Sequence, residues 1–261
     1  MSGGAGAGDL LGRVALVTGA SSGIGRATAI LLAERGARVM AVARNEARLA
    51  EVGQRAGVET LALALETPEA CGRAVDETRR RLGPVAILVN NAGRGGFLDL
   101  PIWEEVPENW RATLAINLDT PFELTRLAAR DMKEIGWGRV IMVSSTAGEV
   151  GAPAMSAYCA SKHGLLGLMR AAAHDLAKIG ATCNAVLPGW VRSEMAEQDA
   201  RQEAARRGIA VEQVWAERAA AYPGGRVLEP EDVARVIAFL AGTDAAAINA
   251  EAITVSHGSL W

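Results

Sequence analysis

Short apolar runs alternate along the chain with longer stretches whose apolar positions recur every three or four residues. Runs over residues 13–18, 38–43, 60–65, 85–90, 139–144, 181–187 and 252–256 are brief and nearly uniformly apolar, and read as seven buried strands. Helical patterns lie between them over residues 23–35, 46–56, from 68 onward, 108–135, 157–179 and 230–241. Gly36 closes the first, while Pro68 and Pro230 suit the first turn of a helix. Pro121 falls inside the pattern over 108–135 and predicts a kink there. Strand and helix alternating at this spacing predict an α/β fold, a Rossmann-type doubly wound domain. Its seven-stranded parallel sheet carries helices on both faces. Neither linker nor repeat divides the pattern, so residues 9–261 read as one domain. The Gly/Ala/Ser-rich residues 1–8 read as a flexible tail. Residues 193–223 break the alternation with polar, Arg/Glu/Gln-rich, helix-prone sequence. They are either a substrate lid or a solvated helical pair.

Composition narrows the class. With 261 residues, 22% charged and a formal net charge of -3, the chain lacks the basic footprint of a nucleic-acid binder. No apolar run reaches the roughly 18 residues of a membrane span. Cys71, Cys159 and Cys183 show neither C-x-x-C nor zinc spacing, so no metal is expected and the thiols read as reduced. The N-terminus has no signal-peptide pattern, and a cytoplasmic location is expected.

Three constellations carry chemistry. Thr18-Gly19-Ala20-Ser21-Ser22-Gly23-Ile24-Gly25 follows a strand and opens a helix. Glycines there admit a tight turn and close backbone approach to a pyrophosphate, which the helix N-terminus attracts. The second strand ends Ala43-Arg44, where NAD-preferring sites place a carboxylate for the ribose 2′-hydroxyl. An arginine there instead matches a 2′-phosphate, so NADP(H) is the expected cofactor and NAD(H) the alternative. Tyr158 and Lys162 stand four apart on a helix and share one face, with Ser145 at the end of a preceding strand. An ammonium beside a phenol favours the phenolate, so that Tyr158 can serve as acid or base near neutral pH. The hydroxyl of Ser145 can hydrogen-bond a substrate carbonyl.

These motifs, with Asn90-Asn91-Ala92-Gly93, Tyr158-Cys159-Ala160-Ser161-Lys162 and Pro188-Gly189-Trp190-Val191, run in one order along the chain. The sequence resembles the short-chain dehydrogenase/reductases over essentially its whole length, and within them the 3-oxoacyl and polyketide ketoreductases. That resemblance implies hydride transfer between a nicotinamide and a carbonyl or alcohol carbon, in a homotetramer. It implies catalytic roles for Asn117, Ser145, Tyr158 and Lys162: Tyr158 exchanges the proton, Lys162 lowers its pKa and binds the nicotinamide ribose, Ser145 polarises the carbonyl, and Asn117 holds a water in the proton relay. Cofactor contacts are implied at Gly19, Ser21, Ser22, Gly23, Ile24 and Gly25, and at Asn91, Ala92 and Gly93. Pro188, Gly189 and Val191 would line the nicotinamide, and Ser193 would supply a hydroxyl. Glu66 stands near the family's adenine-contacting aspartate, one residue short of its usual spacing. Ser22 replaces the basic residue that many NADPH-dependent members carry, leaving Arg44 alone to mark the phosphate. His257, near the C-terminus, reads as a turn residue rather than a site residue.

The expected substrate rim combines Gly95, Gly96, Phe97, Glu149, Val150, Met155, Trp190 and Met195. Its apolar cast favours a bulky carbonyl compound over a small charged acid. Arg201, Arg206 and Arg207 could meet an acyl thioester's phosphopantetheine or coenzyme A arm, or simply form a solvated face. The leading reading is therefore an NADP(H)-dependent ketoreductase acting on a 3-oxoacyl thioester or bulky ketone. The alternatives are an NAD(P)-dependent secondary alcohol, hydroxy acid or steroid-type dehydrogenase, and a non-catalytic cofactor-binding scaffold or sensor.

Overall fold

The computed structural model describes residues 8–55, 57–96 and 100–259. Most of the tail over residues 1–8, and Phe97 of the expected rim, therefore lie outside the described residues. Seven parallel strands form one sheet in the order β3-β2-β1-β4-β5-β6-β7. They are β1 (Val14–Thr18), β2 (Arg38–Ala43), β3 (Val58–Ala62), β4 (Ile87–Asn90), β5 (Gly138–Val143), β6 (Ala181–Pro188) and β7 (Ala252–Val255).

The two-residue period of each strand sorts its side chains between two cores. Ala15, Val17, Val39, Ala41, Ile87 and Val89 join one cluster. There they meet α1 (Gly23–Glu34), α2 (Glu46–Gly53) and α9 (Pro230–Ala241). Val14, Leu16, Met40, Val42 and Leu88 join the other, under α3 (Pro68–Leu82), α5 (Thr120–Ile135) and α6 (Ser156–Ala177). Both faces are covered, which is why the central strands β1, β2 and β4 are mostly apolar rather than alternating. The chain leaves β1 toward β2 and β3, then returns to place β4 on β1's other side. Loops after β1 and β4 diverge at that reversal and open a crevice along the carboxyl edge.

Two expectations are corrected. The third strand ends at Ala62 instead of running over 60–65. Leu65 turns inward to 3% exposure in the core under α3 while its carbonyl accepts from Thr120 Oγ1, so apolar character there marks packing, not pairing. The pattern over 108–135 divides into α4 (Pro107–Leu114) and α5, joined through a π turn at Ala115–Asp119. Pro121 sits in the first turn of α5, where its missing N–H falls beside backbone bonding the π turn has already shifted. The irregularity thus lies at Asn117, four residues before the proline.

Residues 193–223 form two helices, α7 (Glu194–Arg207) and α8 (Val211–Ala220). Ala196, Ala200 and Ala204 pack against Val214 and Trp215 in a small separate core. The buried Arg218 pairs with Asp199 at 2.5 Å and Glu203 at 2.8 Å, and lays its guanidinium 3.6 Å from the centroid of the Trp190 ring. Both helices are thereby tied to the segment after β6.

Candidate active site

The crevice holds a cavity of about 870 Å³ running from the ends of β1 and β2 to those of β5 and β6, with the start of α7 as its outer wall. At one end the glycine loop follows β1. Gly19 and Gly23 hold φ of 66° and 51°, left-handed values that favour glycine. Gly25 lies behind the wall, where a Cβ would overlap the Gly19 carbonyl oxygen and the Asn91 amide. Asn91 Nδ2 donates to Thr18 O at 2.8 Å, and the Asn91 and Ala92 N–H groups both donate to Thr18 Oγ1 at 3.0 Å. These bonds staple the loop after β4 to the end of β1, and set the width of the crevice.

This end fits a dinucleotide. Ser22 is the N-cap of α1 but makes no side-chain cap bond, so no hydroxyl covers the first-turn N–H groups where Ser22, Gly23 and Ile24 line the cavity. Such donors at a helix N-terminus suit a pyrophosphate. Arg44 stands at the mouth with its side chain 76% exposed, 3.6 Å from Glu66 of the same wall. Arg48, in the first turn of α2, also lines the cavity and pairs with Glu194 of α7. No sequence motif marks Arg48, because only the fold turns the first turn of α2 toward this groove.

At the other end Pro188, Gly189 and Val191 line the cavity beside Ser145, Tyr158 and Lys162. Gly189 N–H donates to Val255 O, and Val191 bridges to Leu228, which fixes the turn after β6. Ser193 caps α7 by accepting from Ala196 N at 3.3 Å, and its Cβ lies 3.3 Å from where a Cβ on Gly23 would stand. Ser145 lies two residues beyond β5, where it caps the turn Thr146–Gly148 by accepting from Ala147 N at 3.1 Å.

Lys162, 5% exposed, donates from Nζ to Val143 O at 2.9 Å, and the ammonium lies 5.6 Å from the centroid of the Tyr158 ring. Burial pushes its pKa from 10.5 down to about 8. The Tyr158 hydroxyl moves the other way: burial raises its pKa, and the Ser145 hydroxyl lowers it in part. Burial is thus the largest influence on the Tyr158 hydroxyl, ahead of its neighbours. One of the three ammonium N–H groups goes to Val143 O, and desolvation disfavours the phenolate.

Asn117 is 1% exposed and lies behind the cavity wall. Its Oδ1 accepts from Arg94 N at 2.9 Å, while Nδ2 donates to Arg94 O and Ser161 Oγ, each at 3.0 Å. It therefore clamps the loop after β4 to the helix that carries Tyr158. Met155, Trp190 and Met195 line the substrate side. Gly95 does not: it is buried behind that wall, and Arg94 takes the lining position. Gly96, Glu149 and Val150 are likewise absent from the lining. Arg94 follows Gly93 directly but belongs to no motif in the sequence. Its Nη2 donates to Asn109 Oδ1 at 3.1 Å, leaving a guanidinium in a mostly apolar wall.

Neither His257 nor the cysteines belong to the cavity lining. Cys71 and Cys183 are buried, with pKa values pushed up to about 11 and about 12, which leaves them unreactive thiols. Among the described residues no cluster could hold a metal, and no helix is long and apolar enough to cross a membrane.

Comparison with known proteins agrees with this geometry. The short chain dehydrogenase family matches residues 13–204. A Streptomyces violaceoruber chain assigned as ketoacyl reductase 1 of the granaticin polyketide synthase is 38% identical over 253 residues, covering 94% of this chain and 92% of its own. The 3-oxoacyl-acyl-carrier-protein reductase of Vibrio cholerae is 35% identical over 252 residues, covering 96% and 98%. A variant of actinorhodin polyketide ketoreductase crystallised with NADPH superposes with a TM-score of 0.89 at 35% identity, over 94% of this chain and 96% of that one. The chain belongs to the short-chain dehydrogenase family, as an NAD(P)-dependent oxidoreductase of ketoreductase-like type.

Proposed function

We propose that the protein uses NADPH to reduce a ketone, either a 3-oxoacyl thioester or another bulky apolar carbonyl compound, to a secondary alcohol. The observation that carries this reading is Arg44 at the cavity mouth directly after Ala43, where a ribose-binding carboxylate would repel a 2′-phosphate. The NADPH-bound relative supports the same cofactor. When bound at this end of the crevice, the nicotinamide supplies a hydride to the carbonyl carbon.

The chain's own residues handle the proton and the orientation. Ser145 donates its hydroxyl hydrogen to the carbonyl oxygen, and Tyr158 gives up its phenolic proton to that oxygen as negative charge builds there. A raised pKa keeps Tyr158 protonated and ready to donate, which suits the reductive direction. Lys162 faces the Tyr158 ring and stabilises the phenolate left behind. Asn117 holds the helix and the Arg94 loop in register, which positions Tyr158. Met155, Trp190 and Met195 form an apolar wall for an extended chain, and Arg94 offers donors to a second substrate oxygen such as that of a thioester. The working form is a cytoplasmic homotetramer, and light scattering from a monomer would remove that part.

Fluorescence titration with NADPH and NADH tests the cofactor, and turnover of 3-oxoacyl thioesters then tests the substrate. Tighter NADPH binding that weakens in Arg44→Ala supports the reading. Tighter NADH binding moves the assignment to oxidation of secondary alcohols, and binding of neither returns the molecule to a scaffold role.

A further inference from the structure

The first turns of α2 and α7 meet across the glycine loop. Arg48 of α2 and Glu194 of α7 form an ion pair there, both line the dinucleotide cavity, and their side chains are 45% and 54% exposed. They also face a smaller recess behind the loop, together with Ser21, Ser22 and Arg192. Neither residue is needed where it stands for helix capping. Asn45 caps α2 by accepting from Arg48 N, and Ser193 caps α7 by accepting from Ala196 N. Arg48 and Arg44 flank Asn45 and present two guanidinium groups to one wall. Each is matched in this structure by a single carboxylate, Arg44 by Glu66 and Arg48 by Glu194.

We propose that Arg48 is a second reader of the cofactor's 2′-phosphate, and that Glu194 occupies it when no phosphate is present. The inference rests on the NADP(H) reading above. A phosphate monoester offers three acceptor oxygens and close to two charges, whereas each carboxylate offers two oxygens and one charge, so the phosphate outcompetes either carboxylate for a guanidinium. Release of Glu194 on cofactor binding frees the first turn of α7 from α2, which links the identity of the cofactor to the position of the lid. A basic residue in place of Ser22 is then unnecessary, because Arg48 supplies the second cation from the opposite side of the loop.

Dissociation constants for NADPH and NADH, measured in the wild type, Arg48→Gln, Glu194→Gln, the charge swap Arg48→Glu with Glu194→Arg, and Arg44→Ala, test this. Arg48→Gln is expected to weaken NADPH about tenfold, the scale of one charge-assisted hydrogen bond, and NADH less than about twofold. Glu194→Gln is expected to tighten NADPH by about threefold to tenfold and leave NADH unchanged, since it removes only the competitor. The charge swap rebuilds the ion pair but places a carboxylate at the phosphate, so NADPH affinity stays low. Recovery of NADPH affinity in the swap, or equal effects on both cofactors in the single variants, overturns the proposal by showing that the pair acts only as a strap. A wild type that prefers NADPH, loses the preference in Arg44→Ala and keeps it in Arg48→Gln overturns this inference alone. A wild type that prefers NADH overturns both readings.

Discussion

Replacing Lys162 with methionine should stabilise the protein while abolishing its chemistry. The ammonium is 5% exposed, and burial lowers its pKa from 10.5 to about 8. At 1.36 kcal/mol per pH unit, that fall corresponds to a cost of about 3 kcal/mol for holding the charge in the folded state. The sign follows from proton binding. Below the folded pKa both folded and unfolded chains carry the proton, and the cost is fully present. Between about pH 8 and the unfolded value the folded protein gives up its proton first, the unfolded state binds more protons, and stability rises with pH. Methionine keeps an unbranched stem without the charge. It forfeits the bond to Val143 O, about 1 kcal/mol, so the net gain near neutral pH is about 2 kcal/mol. For a chain of this size that is a rise in Tm of about 4–8 °C. The decisive quantity is the change in the gap. Between about pH 7 and about pH 9.5 the wild type should gain about 2 kcal/mol on the variant, whatever the lost hydrogen bond is worth. Urea unfolding of both cofactor-free proteins at the two pH values measures it. A gap that stays constant across this range refutes the argument, because it means that Lys162 keeps an ordinary pKa inside the fold.

Three further outcomes follow from the same geometry. Tyr158→Phe should lower turnover by on the order of a hundredfold to ten-thousandfold with NADPH binding retained, and full activity in that variant would remove Tyr158 from the mechanism. Because burial raises the Tyr158 pKa, alcohol oxidation, which needs the phenolate, should quicken as pH rises above neutrality, and pH–rate profiles in the two directions should separate accordingly. Gly25→Ala should cost about 1–3 kcal/mol of stability and lose cofactor binding, since the added Cβ collides with the Gly19 carbonyl and the Asn91 amide; thermal melts with cofactor titration check both.

Much of the candidate site is legible in the sequence. The glycine loop, Asn91, Ser145, Tyr158 and Lys162 each sit at the end of a strand or on one helical face, and period alone places such residues. The sheet order and the break in the helix over 108–135 were less legible. Pro121 drew attention as the obvious breaker, yet the π turn forms at Asn117 because its amide is held by Arg94 and Ser161, partners 23 and 44 residues away. Gly95 was expected in the pocket and Arg94 was not, although they are neighbours. Which of two adjacent loop residues faces a cavity depends on how the loop is pinned, and here Asn109 and Asn117 pin it.

Sequence alone determined the architecture and brought forward a candidate catalytic set, because strand and helix periods are local properties and the motifs fall near the carboxyl ends of strands. It could not determine the electrostatics of that set. A lysine four residues from a tyrosine reads as a charge that eases ionisation of the phenol. In the fold Lys162 donates to Val143 and is buried, which lowers its own pKa, while burial raises that of Tyr158. Nor could it show that Arg48 and Glu194, 146 positions apart in the chain, close over one groove. Solvent exclusion and long-range charge pairing are set by the whole three-dimensional packing, and no local window of sequence contains them.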